Sequence, residues 1–178
     1  MKTDIKELLS RYIPYDEHNT KQFEKFCAFV DAHEIIIGKK NTEGHITASA
    51  WIVDQDYKSV LLTHHVKLNR WLQLGGHTEE HETIVDGALR EAFEESGLKS
   101  IVLKSDEIFD LDVHEIPMHG KTEKHIHYDL RFLMVASRDE ALSISDESHD
   151  LRWFEFEEVS HFTDEVSIAR MVEKARRL

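Results

Sequence analysis

The stretch WLQLGGHTEEHETIVDGALREAFEESGL, from Trp71 to Leu98, decides the fold. It opens as a strand that runs into the glycine pair Gly75 and Gly76. From Thr83 to Ser96 the apolar residues Ile84, Ala88, Leu89, Ala92 and Phe93 recur at helical spacing, and Gly97 stands where a C-terminal cap belongs. On that helix Glu91, Glu94 and Glu95 fall at i, i+3 and i+4, which places three carboxylates on one face. Exposed like charges this close repel by about 0.2–0.5 kcal/mol per pair. Taken alone, such a triplet is more often a solvated acidic face. A hard divalent cation turns the same repulsion into a coordination shell. The glycine pair upstream lets backbone carbonyls and amides come close to a metal or a phosphate.

Spacing separates the two readings. Five residues lie between Gly76 and Glu82, seven more between Glu82 and Arg90, and Arg-Glu-Ala-Phe-Glu-Glu-Ser-Gly-Leu follows from Arg90. The pattern resembles the box of the Nudix hydrolase superfamily at Gly76, Glu82, Arg90, Glu91, Glu94, Glu95 and Gly97. Two positions depart from it. Ala92 fills a slot usually held by a larger aliphatic, and Leu74 replaces the proline that often precedes the glycines, which predicts a less rigid approach to the loop.

The resemblance implies an α+β fold, a mixed β-sheet sandwiched between helices (α/β/α). It implies Mg²⁺, with Mn²⁺ as a substitute, held by Glu91, Glu95 and the Gly76 carbonyl, with Glu94 as a further ligand or water activator. Glu82 and Arg90 would hold the loop against the helix. Water would attack one phosphorus of a diphosphate-linked compound. Relatives draw the catalytic base from different places. Glu147, just before an apolar run at Leu151–Phe156, is the candidate here, against the alternative of a charged surface loop.

Working outward, Ile5, Leu8, Leu9 and Tyr12 lie at helical spacing until Pro14, and Asn19 or Thr20 is the expected cap of a second helix with the stripe Phe23, Phe26, Cys27 and Val30. Residues 1–40 are therefore expected as a helical extension packed on a main domain of residues 41–178, with no linker between them. Strands are expected at Ile46–Val53, Ser59–Thr63, Ile101–Leu103, Ile108–His114, Ile126–Ala136 and Leu151–Phe156, and a helix at Glu165–Arg176.

Two of these strands alternate sharply. Asp110, Asp112 and His114 oppose Phe109, Leu111 and Val113; His125, His127, Asp129 and Arg131 oppose Ile126, Tyr128, Leu130 and Phe132. A hairpin through Pro117 to Lys124 would put both polar sets on one face, either as a pocket wall or as an exposed sheet face. Within the pocket reading His77, His114, His127, Asp129 and Arg131 are the expected substrate contacts. A Zn²⁺ site of His114, His125 and His127 is the weaker reading, since no cysteine accompanies them. His64 and His65 are adjacent on a strand, so only one of them can face a pocket. Trp71 and Trp153 read as core residues rather than stacking platforms.

The surrounding sequence also resembles a bacterial Nudix subgroup without a generally assigned substrate, through Gly44–Trp51, Leu61–His65, His127–Phe132 and Glu147–Trp153. Substrate markers of the superfamily do not fit. The proline of ADP-ribose hydrolases and the tyrosine of diadenosine polyphosphate hydrolases are missing from Val113 to Ile116, and the coenzyme A and NADH signatures are incomplete or absent.

The 178 residues carry a formal charge of −13, which disfavours non-specific binding to nucleic acid or anionic lipid. No apolar run reaches transmembrane length, the first residues lack a signal-peptide core, and Cys27 stands alone, so a cytoplasmic protein is expected. A homodimer is compatible with the sequence. The leading expectation is a hydrolase acting on a nucleotide or nucleoside-diphosphate conjugate. The alternative is a catalytically silent Nudix domain that binds a nucleotide as a sensor or interaction module. An isomerase of the isopentenyl diphosphate type is set aside, because Cys27 lies in the N-terminal helices rather than the sheet.

Overall fold

The computed structural model describes residues 2–38, 41–118 and 123–178. Its frame is a parallel pair of long strands, β1 (Gly44–Asp54) and β7 (His125–Ala136), aligned from Gly44 beside Ile126 to Asp54 beside Ala136. Each has different neighbours at its two ends. β1 pairs antiparallel with β2 (Ser59–His65) at Val53 and with β4 (Leu74–His77) from Thr47 to Ala50. β7 pairs antiparallel with β5 (Val102–Leu103) at one end and with β6 (Asp110–Ile116) at the other. β2 also carries β3 (Arg70–Leu72) and β8 (Ser148–Glu155), completing an eight-stranded mixed sheet. The β6–β7 hairpin expected from alternation is present; residues 119–122 of its connection lie outside the described residues.

Alternation along the central strands assigns the layers. Ile46, Ala48, Ala50 and Ile52 of β1, with Leu130, Phe132 and Met134 of β7, face one core together with α1 (Lys2–Arg11), α2 (Glu17–Ala32) and α3 (Ile84–Ser96). Trp51, Val53 and Leu133 face the other way, against α4 (Val166–Ala175), through Ile168, Met171 and Val172. The sheet is thus covered by helices on both sides, as expected of an α/β/α sandwich.

The N-terminal helices share the first core rather than forming one of their own. Phe29 stacks on Tyr128 of β7 with ring centroids 3.9 Å apart, and Phe26 meets the same ring edge-on. The buried Asn19 accepts from Tyr12 Oη at 2.6 Å and donates to the Leu111 carbonyl at 3.1 Å, which ties α1, α2 and β6 together. Asn19 is therefore not the cap of α2. Asp16 is, with its carboxylate accepting from the Asn19 amide. An earlier start suits the packing, because it leaves the Asn19 side chain free to turn inward.

Two further expectations change. Phe93 is exposed, and its expected place on the buried face of α3 is taken by Glu95 and Ser96. Leu74 does not loosen the approach to the glycines: it is fully buried and strand-paired with Ala50, so pairing fixes what a proline would otherwise stiffen. Trp71 and Trp153 are only partly buried, packed at the edges of the two cores. No helix among the described residues is long and apolar enough to cross a membrane.

Candidate active site

The strand-loop-helix of the box is held by local chemistry first. Thr83 caps α3, accepting from the Asp86 amide, and Gly97 ends it at φ 69°, a left-handed conformation that costs glycine little. Arg90 then ties the loop to the helix. Its guanidinium forks onto Glu82 at 2.9 and 3.1 Å, donates to the His77 carbonyl at 2.8 Å, and reaches Glu91 and Glu94 at 2.9 and 3.0 Å. The hydrogen bond with Arg90 holds Glu82 below the usual carboxylate range. These partners explain the fixed spacing of Glu82 and Arg90, since only a planar fork engages the loop and two helix carboxylates together.

The carboxylates meet the loop at the glycines. The Glu91 carboxyl lies against Gly76 so closely that an added Cβ would stand 2.7 Å from its carbon. Glu95, 6% exposed, accepts from the Gly75 amide at 3.2 Å. Burial pushes Glu95 up to about 8 and raises Glu91; among the further causes, the charges of Glu94 and Glu147 raise both, and Glu91 raises Glu95. A buried carboxylate kept among other carboxylates, with the Gly75 backbone amide donating to it, is the kind of donor set that a hard cation satisfies. Glu94 is more exposed, on the outer side of the cluster.

Beside the glycines opens a cavity of about 540 Å³, lined among others by His45, His77, His114, His127, Asp129 and Glu147. It occupies the half of the sheet face that α4 leaves uncovered, which is where His45, Thr47 and Ser49 precede Trp51 on the same side of β1. Of the expected substrate contacts, His77, His114, His127 and Asp129 reach this wall, and Arg131 does not. Arg131 is buried between Asp129, at 2.8 Å, and Asp110, at 3.4 Å. Asp110 also takes both Nε and Nη2 of Arg170, at 3.0 and 2.8 Å, and Lys174 lies 3.2 Å away. Three acids, Asp110, Asp112 and Asp129, are matched by three cations in this seam between cavity and α4. A buried guanidinium with that many partners has a structural task, which corrects the assignment of Arg131 to the substrate.

Asp129 is held firmly. It accepts from Thr47, Ser49, Gln73 and Arg131. His65 lines the cavity whereas His64 stacks on Trp71, as expected for neighbours on one strand. Burial, followed by repulsion from His114, His45, His77 and His125, lowers His127 to about 2, so its ring is neutral. The sequence reading missed His45, Thr47, Ser49 and Gln73. The first three alternate along β1 and carried the same signal as β6 and β7, but the apolar character of the strand hid it.

With this geometry in place, the chain can be compared with known proteins. The family model of the NUDIX domain matches residues 43–175. The chain belongs to this family. A curated relative, described as a probable DHNTP pyrophosphohydrolase of Lactococcus lactis subsp. cremoris, is 30% identical over 106 residues, which is 58% of this chain and 61% of the relative. The match thus spans less than two thirds of that protein. Among solved structures, a hydrolase of the NUDIX family from Clostridium perfringens is 25% identical, with a TM-score of 0.56 over 77% of this chain and 98% of the other. An Ap4A hydrolase of C. elegans shares the fold at 18% identity, with a TM-score of 0.59 over 74% of this chain and 95% of the other.

Proposed function

We propose that this chain hydrolyses a phosphoanhydride bond in a nucleotide or nucleoside-diphosphate conjugate, with Mg²⁺ as cofactor and Mn²⁺ as a substitute. The observation that carries the proposal is the contact of Glu91 with Gly76 and of Glu95 with Gly75, on the glycine edge of a cavity that Glu147 also lines. Glu91, Glu94, Glu95 and the Gly76 carbonyl would hold the metal. Bound there, a divalent cation supplies neutralisation of phosphate charge and acidification of water. Glu147, which lines the cavity, would take the proton of the attacking water, while His77, His114 and His127 position the substrate and Asp129 braces the wall.

The relatives described as acting on DHNTP and on Ap4A fit a phosphorylated small molecule of nucleotide type. The test is a panel of nucleoside triphosphates, dihydroneopterin triphosphate and nucleoside-diphosphate conjugates, incubated with Mg²⁺ or Mn²⁺ and read as product masses. Metal-dependent release of a monophosphate or diphosphate, lost in Glu95→Gln, supports the proposal. Tight binding without turnover would leave only the sensor reading. Equal turnover in wild type, Glu94→Gln and Glu95→Gln would remove the site.

A further inference from the structure

We infer that His45, His77 and His127 form a second cation site, built from imidazole nitrogens and suited to a transition metal of the Zn²⁺ class. Its position follows from strand register. β1 and β7 are parallel with His45 beside His127, and β4 runs antiparallel to β1 with His77 opposite Thr47. Three adjoining strands therefore project three rings into one volume. Their ligand atoms all lie within 4.8 Å of one another, and the Nε2 atoms of His45 and His77 are 2.9 Å apart. A tetrahedral Zn²⁺ with bonds of about 2.0–2.1 Å spaces its ligands about 3.3 Å apart, so small side-chain adjustments would complete the shell.

The donor set sets this site apart from the carboxylate cluster. Three nitrogens without an oxygen favour Zn²⁺, Co²⁺ or Ni²⁺ and give Mg²⁺ nothing to prefer. All three residues line the cavity, so the fourth position opens toward whatever molecule the cavity holds. A second ring of groups surrounds them: His125 Nε2 stands 3.1 Å from His127 Nε2, and the His114 ring, hydrogen-bonded to Asp112, lies 5.7 Å from that of His127. The sequence grouped His127 with His114 and His125. The fold replaces those two by His45 and His77, which are 32 residues apart in the chain.

The full chain, saturated with Mg²⁺ to fill the carboxylate site, is titrated with Co²⁺ and read by visible absorption. The expected result is one equivalent of Co²⁺ with the intense bands of a four-coordinate nitrogen site, displaced by Zn²⁺. His45→Ala and His127→Ala should each weaken binding by about tenfold or more, whereas Glu95→Gln leaves the bands unchanged. Zn²⁺-dependent shifts of the histidine ring resonances in the wild-type protein give the same answer without a variant. Failure to bind Co²⁺, suppression of the bands by Mg²⁺, their loss in Glu95→Gln, or their persistence in both histidine variants would each overturn the inference. None of these outcomes depends on whether the chain turns over a nucleotide.

Discussion

The backbone amide of Gly75 donates to Glu95 Oε2 at 3.2 Å, joining the last strand of the box to a carboxylate on the following helix. This bond fixes a buried acid against a glycine that lines the cavity. It also orients the glycine pair, since Gly76 packs against Glu91 one turn earlier on the same helix.

Removing the Glu95 charge should therefore separate stability from function. Glu95→Gln relieves the burial of a carboxylate among like charges, so the metal-free protein is expected to melt at an equal or higher temperature. Its Mg²⁺-induced rise in melting temperature should shrink, and turnover should fall by about 100-fold or more. Thermal scans with and without a chelator, beside initial rates, check both halves.

Gly76→Ala tests the close approach directly. A methyl group 2.7 Å from the Glu91 carboxyl carbon must displace that carboxylate or the loop. The expected outcome is a folded protein with weakened Mg²⁺ binding, measured by titration calorimetry. Wild-type affinity in this variant would contradict the assigned ligand geometry.

Arg90→Lys keeps the charge and loses the fork. The ammonium cannot reach both Glu82 oxygens, the His77 carbonyl and the two helix acids at once. A stability loss of about 1–2 kcal/mol in urea unfolding is expected, with a larger fall in turnover as the loop loosens.

The seam beneath the cavity should be the most sensitive point of the fold. Asp110→Asn leaves Arg131, Arg170 and Lys174 facing one acid fewer in a buried setting. A loss of about 3–5 kcal/mol is expected, read by chemical denaturation.

Asp112 gives that seam a pH dependence. Burial alone would raise its pKa, but the hydrogen bond from His114 and the charges of Arg131, His114 and Arg170 outweigh this and hold it below the ordinary carboxylate range. A depressed folded-state value means that the stabilisation is present above the unfolded value, near 3.8, and is lost as pH falls through the lower folded value. Stability curves at acid pH should be shallower for Asp112→Asn, which is less stable at neutral pH. Parallel curves would show that Asp112 does not contribute to the acid slope.

Much of this was legible in the chain. Three carboxylates at helical spacing behind a glycine pair, with a glycine after the helix, specify a strand-loop-helix through local geometry alone. Strict alternation in Asp110–His114 and His125–Arg131 specified two strands with a polar face, because a strand has no other way to segregate its side chains. Periodicity was less secure where a functional residue broke the pattern. Phe93 belongs to the apolar stripe by spacing, but the fold exposes it, because the helix turns Glu95 toward the loop.

What the sequence by itself determined is the helix that carries Glu91, Glu94 and Glu95, its C-terminal glycine cap, the two-sided sheet and the family. Those depend on residues close together in the chain. Only the tertiary structure decided which polar residues line the cavity and which serve the seam. Arg131 looks like its neighbours on β7, but α4 brings Arg170 and Lys174 onto Asp110, and Arg131 is closed into that ion cluster. His45 alternates with Thr47 and Ser49 on an otherwise apolar strand, but only the parallel register of β1 and β7 sets it beside His127. Contacts between strands about 80 residues apart are fixed by register and by what covers the sheet, and neither is written in local spacing.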